Sequence, residues 1–125
     1  MIKSIKRNID PDYLFIEPFE LVVTEEMLTA LAMATRDIRY EIGPMIALIN
    51  ALDFEYNWRE RRQTIVNHIN NAKAVAITHA DAVGDPQHLT TIIDLVKMNI
   101  DNAVVFPLSV PDGTGVDTLM KVVTR

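Results

Sequence analysis

The chain has no cysteine among its 125 residues. That removes disulfide staples, thiolate metal ligands and a cysteine nucleophile, and nothing calls for an oxidising compartment. Glycine is scarce as well. The four glycines are Gly43, Gly84, Gly113 and Gly115, and none is followed by lysine; a G-x-x-x-x-G-K-[S/T] loop, whose amides and lysine cradle phosphates, is therefore excluded. Basic charge is also short. Twelve Lys and Arg against 17 Asp and Glu give a net charge of -5. The run that concentrates cations, Arg59 to Arg62, contains Glu60 and reads as a solvated helix face, not a nucleic-acid surface. Long apolar runs are missing too: Asp10, Asp12 and Glu17 interrupt the basic N-terminus before any signal-peptide or membrane-spanning segment can form. The expectation is a cytoplasmic protein that binds neither nucleic acid nor membrane.

What is present is one domain's worth of chain, 49% hydrophobic, enough for a core without structural metal. Short, nearly continuous apolar segments recur at Tyr13–Glu17, Met45–Asn50, Ala74–Thr78 and Ala103–Leu108, as in strands covered on both faces. Amphipathic stretches lie between them. Thr24 with Glu25 and Glu26 opens one helix. Asn57 precedes a second, in which Trp58, the Arg62 stem, Ile65, Ile69 and Ala72 share a face. Asp85-Pro86 opens a third running to about Lys97, with Leu89, Ile92, Ile93 and Val96 as its apolar stripe. Gly113-Thr114-Gly115 precedes the last, with Val116, Leu119, Met120 and Val123 facing inward. With a short helix at the N-terminus, this predicts a single α/β domain over 1–125: three layers, a mostly parallel sheet of about four strands, and flanking helices.

Parallel sheets bind ligands at strand C-termini, which directs attention to Glu17–Glu20, Asn50–Phe54, Thr78–Asp81 and Ser109–Gly115. Any one of these polar residues alone is more simply a helix cap or a loop residue. His68, His79 and His88 lie on separate elements and read as surface residues, so no metal site is expected. Met27, Met33, Met98 and Met120 read as core filler. Asp53 after a strand fits a phosphoacceptor receiver, but the closing Phe106-Pro107-Leu108-Ser109 stretch lacks the lysine such a domain needs.

Four of these stretches, in order, resemble segments of the CobW/HypB/UreG metal-chaperone GTPases. "PDYLFIEPFELVVTEEM" is similar to the strand ending in Glu-x-x-Gly, and "GPMIALINALDF" to the strand ending in Val-Asp-Ala. "INNAKAVAITHADAV" resembles the NKxD strand, and "AVVFPLSVPDGTGVDTLMKVV" the closing strand, its guanine loop and the opening of the last helix. The resemblance implies that Asp81 accepts hydrogen bonds from guanine N1 and its exocyclic amine, as an acceptor-only carboxylate can. By the same resemblance, Thr78 and His79 flank the base, Ser109 and Val110 supply loop backbone near guanine O6, and Glu17 helps order magnesium and water beside the γ-phosphate.

The departures carry equal weight. Thr78 and His79 replace the Asn and Lys of NKxD, Glu20 replaces the glycine of Glu-x-x-Gly, and Asn50 replaces an Asp. With no phosphate loop and no Cys-x-Cys-Cys motif, the chain resembles the later part of such a domain. The implied function is a degenerate or split GTPase tied to metal or corrinoid cofactor insertion or reactivation. It would not hydrolyse GTP alone, and would take GTP or GDP with Mg if a partner supplies the phosphate loop. The implied partner is a second copy or another subunit covering exposed sheet edges. The alternative is a non-catalytic interaction module that kept the fold and lost the ligand.

Overall fold

The structure is a computed structural model that describes residues 2–18, 24–36 and 40–124. The chain divides into two compact units, Met1–Gly43 and Pro44–Arg125.

The first unit holds two helices, α1 (Ile2–Asn8) and α2 (Thr24–Ala34). Lys6 pairs with Asp10 one turn on and stands 5.2 Å from the Tyr40 ring centre. The Tyr40 hydroxyl in turn donates to the Pro11 carbonyl at 3.4 Å, so one tyrosine secures the segment that leaves α1. Glu25 and Glu26 occupy the first turn of α2, where the helix dipole favours acids.

The strand expected over Tyr13–Glu17 does not form; the segment is irregular. A strand needs a ladder partner for its N–H and C=O groups, and this unit holds no other strand among the described residues. Pro18 then removes the next donor. Tyr13 and Phe15 are exposed.

The second unit alternates regularly: β1 (Ile46–Asn50), α3 (Phe54–Glu60), α4 (Arg62–Asn70), β2 (Ala74–Thr78), α5 (Pro86–Met98), β3 (Val104–Pro107) and α6 (Val116–Val123). The sheet is parallel with order β1-β2-β3, so it has three strands where about four were expected. Two cores lie on its two faces. On one, Ala47, Ile49, Val75 and Ile77 meet Phe54 of α3, Ile69 of α4, and Ile92 and Val96 of α5. On the other, Ala74, Ala76, Phe106 and Leu108 meet Val116, Leu119 and Val122 of α6.

Burial follows from side-chain size on the central strand. Residues Ala74 to Ile77 are all fully buried, and the small alanines sit on the α6 side while Val75 and Ile77 point to the other core. Each fully buried isoleucine contributes about 1.5–3 kcal/mol relative to exposure. Of the predicted α5 stripe, Ile92 and Val96 are buried and Leu89 and Ile93 pack against them. Asp85 caps this helix by accepting the Gln87 N–H at 2.9 Å, with Pro86 in the first turn.

Three details depart from the periodicity. The helix expected from Asn57 begins earlier, at Phe54, because Phe54 is buried and stacks on Trp58 with centroids 5.5 Å apart. It also breaks at Arg61 (φ −133°, ψ 34°), beyond which Arg62 lays its guanidinium over the Trp58 ring at 4.7 Å. Met33, Met98 and Met120 are exposed and do not fill the core. On α6 the inward position belongs to Val122, not Met120.

Candidate functional site

The C-terminal ends of the three strands lead into loops of different character. After β1, the Asn50 carboxamide accepts the Leu52 N–H at 2.9 Å and closes a local turn. Its side chain therefore serves the backbone. Asp53 follows as an exposed residue at the start of α3, with no side-chain cap bond.

After β2, Thr78 is half-buried and its hydroxyl donates to the Ile49 carbonyl of the neighbouring strand at 3.3 Å. The same oxygen lies 3.1 Å from His79 Nδ1. A hydroxyl has one proton, so with that proton directed at the Ile49 carbonyl the Thr78 oxygen is left to accept from a protonated His79 Nδ1. His79 itself adopts a left-handed conformation (φ 59°, ψ 32°), rare for a residue with a Cβ. That reversal starts a short 3-10 turn, Ala80–Ala82, and presents Asp81, which is exposed. Among the described residues, no hydrogen bond or ion pair engages its carboxylate.

After β3, the chain folds on itself. Ser109 donates its N–H to the Thr114 carbonyl at 2.9 Å, and Asp112 accepts the Thr114 N–H at 3.0 Å. The Thr114 amide, then its hydroxyl, then the Ser109 hydroxyl hold the Asp112 carboxyl below its ordinary range. Ser109 is 2% exposed, and its oxygen faces that carboxylate without reaching hydrogen-bond geometry, so it lacks a partner among the described residues. Gly115 has φ 78°, and a Cβ there would collide with the Pro107 carbonyl oxygen; both features demand glycine. Val110 is 77% exposed, and its N–H has no partner among the described residues.

The β2 and β3 loops are joined by backbone. Leu108 donates to Ile77 at 2.8 Å and Ala80 donates to Leu108 at 3.2 Å, so the loop bearing Asp81 is tied to the loop bearing Ser109 and Val110. Of the two amides expected to face a ligand there, Ser109 is committed to Thr114 and Val110 is the available donor. Glu17 lies in the first unit, exposed, in the irregular segment; it does not end a strand. Glu20 lies outside the described residues.

Two open recesses mark the second unit. One of about 380 Å³ lies at the strand C-termini, lined by Ala51, Leu52, Ala82, Val83, Asp85 and His88. His88 Nδ1 stands 3.8 Å from Glu55, a contact between α5 and α3 that residue spacing does not reveal. The larger, about 590 Å³, lies at the opposite end of the sheet between Ile69–Lys73 and Ile100–Ala103, away from the tied loops. Among the described residues, no three His, Asp or Glu side chains gather as metal ligands, and no helix is long and apolar enough to cross a membrane. No protein-family model, curated protein or solved structure matches the chain.

Proposed function

We propose that this chain carries the base-binding end of a nucleotide site, in a degenerate or split GTPase of CobW/HypB/UreG type that does not hydrolyse GTP alone. One observation carries the reading: two adjacent parallel strands, β2 and β3, end in loops tied through Ala80 and Leu108, and one of them offers the uncommitted carboxylate of Asp81. A carboxylate accepts two hydrogen bonds side by side, the pattern guanine N1–H and its amine donate. The Val110 amide is the donor available for O6, and His79 supplies an aromatic ring at the same rim. Nothing in the sequence cradles phosphates, so GTP or GDP with Mg would need a phosphate-binding loop from another polypeptide. The setting that the resemblance implies is insertion or reactivation of a metal centre or corrinoid.

The test is titration with guanosine, GDP and adenosine, followed by protein fluorescence at Trp58 or by calorimetry. Guanosine and GDP are expected to bind with similar, weak affinity and adenosine not at all. Absence of guanosine binding at millimolar concentration, or binding that Asp81→Asn leaves unchanged, overturns the reading.

A second reading, an interaction module without ligand, is favoured by the internal use of the other strand-end side chains: Asn50 closes its own turn and Thr78 bonds Ile49. It predicts that Asp81→Ala changes no ligand or partner binding.

A further inference from the structure

The three loops at the strand C-termini share a charge pattern. Residues 50–54, 78–86 and 107–116 carry Asp53, Asp81, Asp85 and Asp112, all exposed, and no lysine or arginine. A rim of one sign concentrates ions of the other, so its field favours cations. That field by itself selects no position on the rim. Ser109 supplies one. It is 2% exposed, and its hydroxyl oxygen has no hydrogen-bond partner among the described residues. A buried polar group left in that state is costly and calls for an ion or a water to complete it. Its surroundings are oxygen. The Ser109 N–H donates to the Thr114 carbonyl at 2.9 Å and pins the ends of the loop together, and the Ser109 and Thr114 hydroxyls both face the Asp112 carboxylate. Asp112 commits Oδ1 to the Thr114 N–H at 3.0 Å. The Ser109 oxygen lies outside hydrogen-bond geometry with it, so the lone pairs of that buried hydroxyl are unused.

We infer that the 109–114 loop is a cation site, in which the Ser109 hydroxyl, the Asp112 carboxylate and the Thr114 hydroxyl ligate one hard divalent ion, calcium in preference to magnesium. All three donors are oxygen, with no imidazole or thiolate among them, which is the set that hard cations take. The buried Ser109 oxygen decides between the two ions. To reach it an ion must shed part of its water shell, which magnesium does reluctantly, and calcium also accepts the irregular geometry of a short loop. Water fills the remaining positions. One carboxylate beside neutral hydroxyls makes a site of low charge, so the affinity falls at the weak end of the calcium range, with Kd about 0.1–1 mM. Asp81 takes no part, and the inference stands or falls separately from the guanine reading.

Calorimetric titration of the whole chain with calcium chloride, and separately with magnesium chloride, at constant ionic strength tests it. Saturable binding of one calcium is expected, about tenfold or more tighter than magnesium. Ser109→Ala is the discriminating variant, because it removes only the buried oxygen. Without calcium it should keep or slightly raise the thermal midpoint, since an unsatisfied group is gone, and it should weaken calcium binding about tenfold. Asp112→Asn, which removes the one charged donor, should weaken it by more than about tenfold. Asp53→Asn, elsewhere on the rim, should change it less than about twofold. No saturable calcium binding below about 10 mM overturns the inference, the Ser109 hydroxyl then simply turning to donate to Asp112. Binding that Ser109→Ala leaves unchanged overturns it too, as diffuse attraction of the ion to an acidic rim. So does magnesium binding as tightly as calcium.

Discussion

The loops after β2 and β3 start side by side, tied through Ala80 and Leu108, yet they spend their polar groups in opposite ways. The β3 loop turns nearly everything inward. Ser109, Asp112 and Thr114 bond or face one another, and Gly115 is pressed on Pro107. The β2 loop turns outward: His79 holds a left-handed backbone and exposes Asp81 with no partner among the described residues. A loop that satisfies itself contributes shape and stability. One that leaves a carboxylate exposed to solvent keeps its hydrogen-bonding capacity available, and it is on this that the proposed contact with a base rests.

That division can be broken at its strongest point first. Gly115→Ala places a Cβ against the Pro107 carbonyl and strains a positive φ, and it is expected to lower stability by about 3 kcal/mol in urea denaturation. Asp81→Asn reverses the pattern. It should leave stability within about 0.5 kcal/mol and weaken guanosine binding about 10- to 100-fold, the worth of hydrogen bonds to a charged acceptor, as read by calorimetry. His79→Gly relieves the left-handed backbone and should raise stability by about 0.5 kcal/mol, the conformational gain being partly offset by glycine's greater freedom when unfolded. The smallest effect is acid sensitivity at Asp112. Its carboxyl is lowered below the ordinary 3.8, so its contribution is complete above that value and is lost as pH falls through the depressed folded value. Asp112→Asn should flatten the acid limb of a thermal-midpoint profile slightly, since the group is exposed and solvent-screened.

The fold of the second unit is legible in the sequence because its signals are local. Continuous apolar runs at Met45–Asn50, Ala74–Thr78 and Ala103–Leu108 mark buried strands, and the cap at Asp85 with the stripe from Leu89 to Val96 marks α5. The same rule fails at Tyr13–Glu17. An apolar run becomes a strand when another strand accepts its hydrogen bonds, and pairing is a non-local fact that five residues do not encode. Methionine misled for a related reason: Met98 and Met120 fall where helical periodicity permits burial, but Ile92 and Val96 on α5, and Leu119 and Val122 on α6, already meet the sheet.

Of the strand-end residues, Asp81 and Ser109 were visible as polar residues closing apolar runs. Their contrasting states were not. Ser109 is drawn in by its bond to Thr114 across the loop, and that Thr78 bonds Ile49 depends on which strand lies beside β2. The His88–Glu55 contact between α5 and α3 left no trace in spacing.

The alanines at positions 74 and 76 carry a mechanical consequence. Their small size sets how near α6 lies to the sheet, and α6 grows directly out of the 109–115 loop. Added volume beneath the helix must therefore be taken up where helix and loop join, as a lever moves about its short end. A larger side chain at Ala76, which is buried in the core that α6 covers, would therefore press on the loop through the helix.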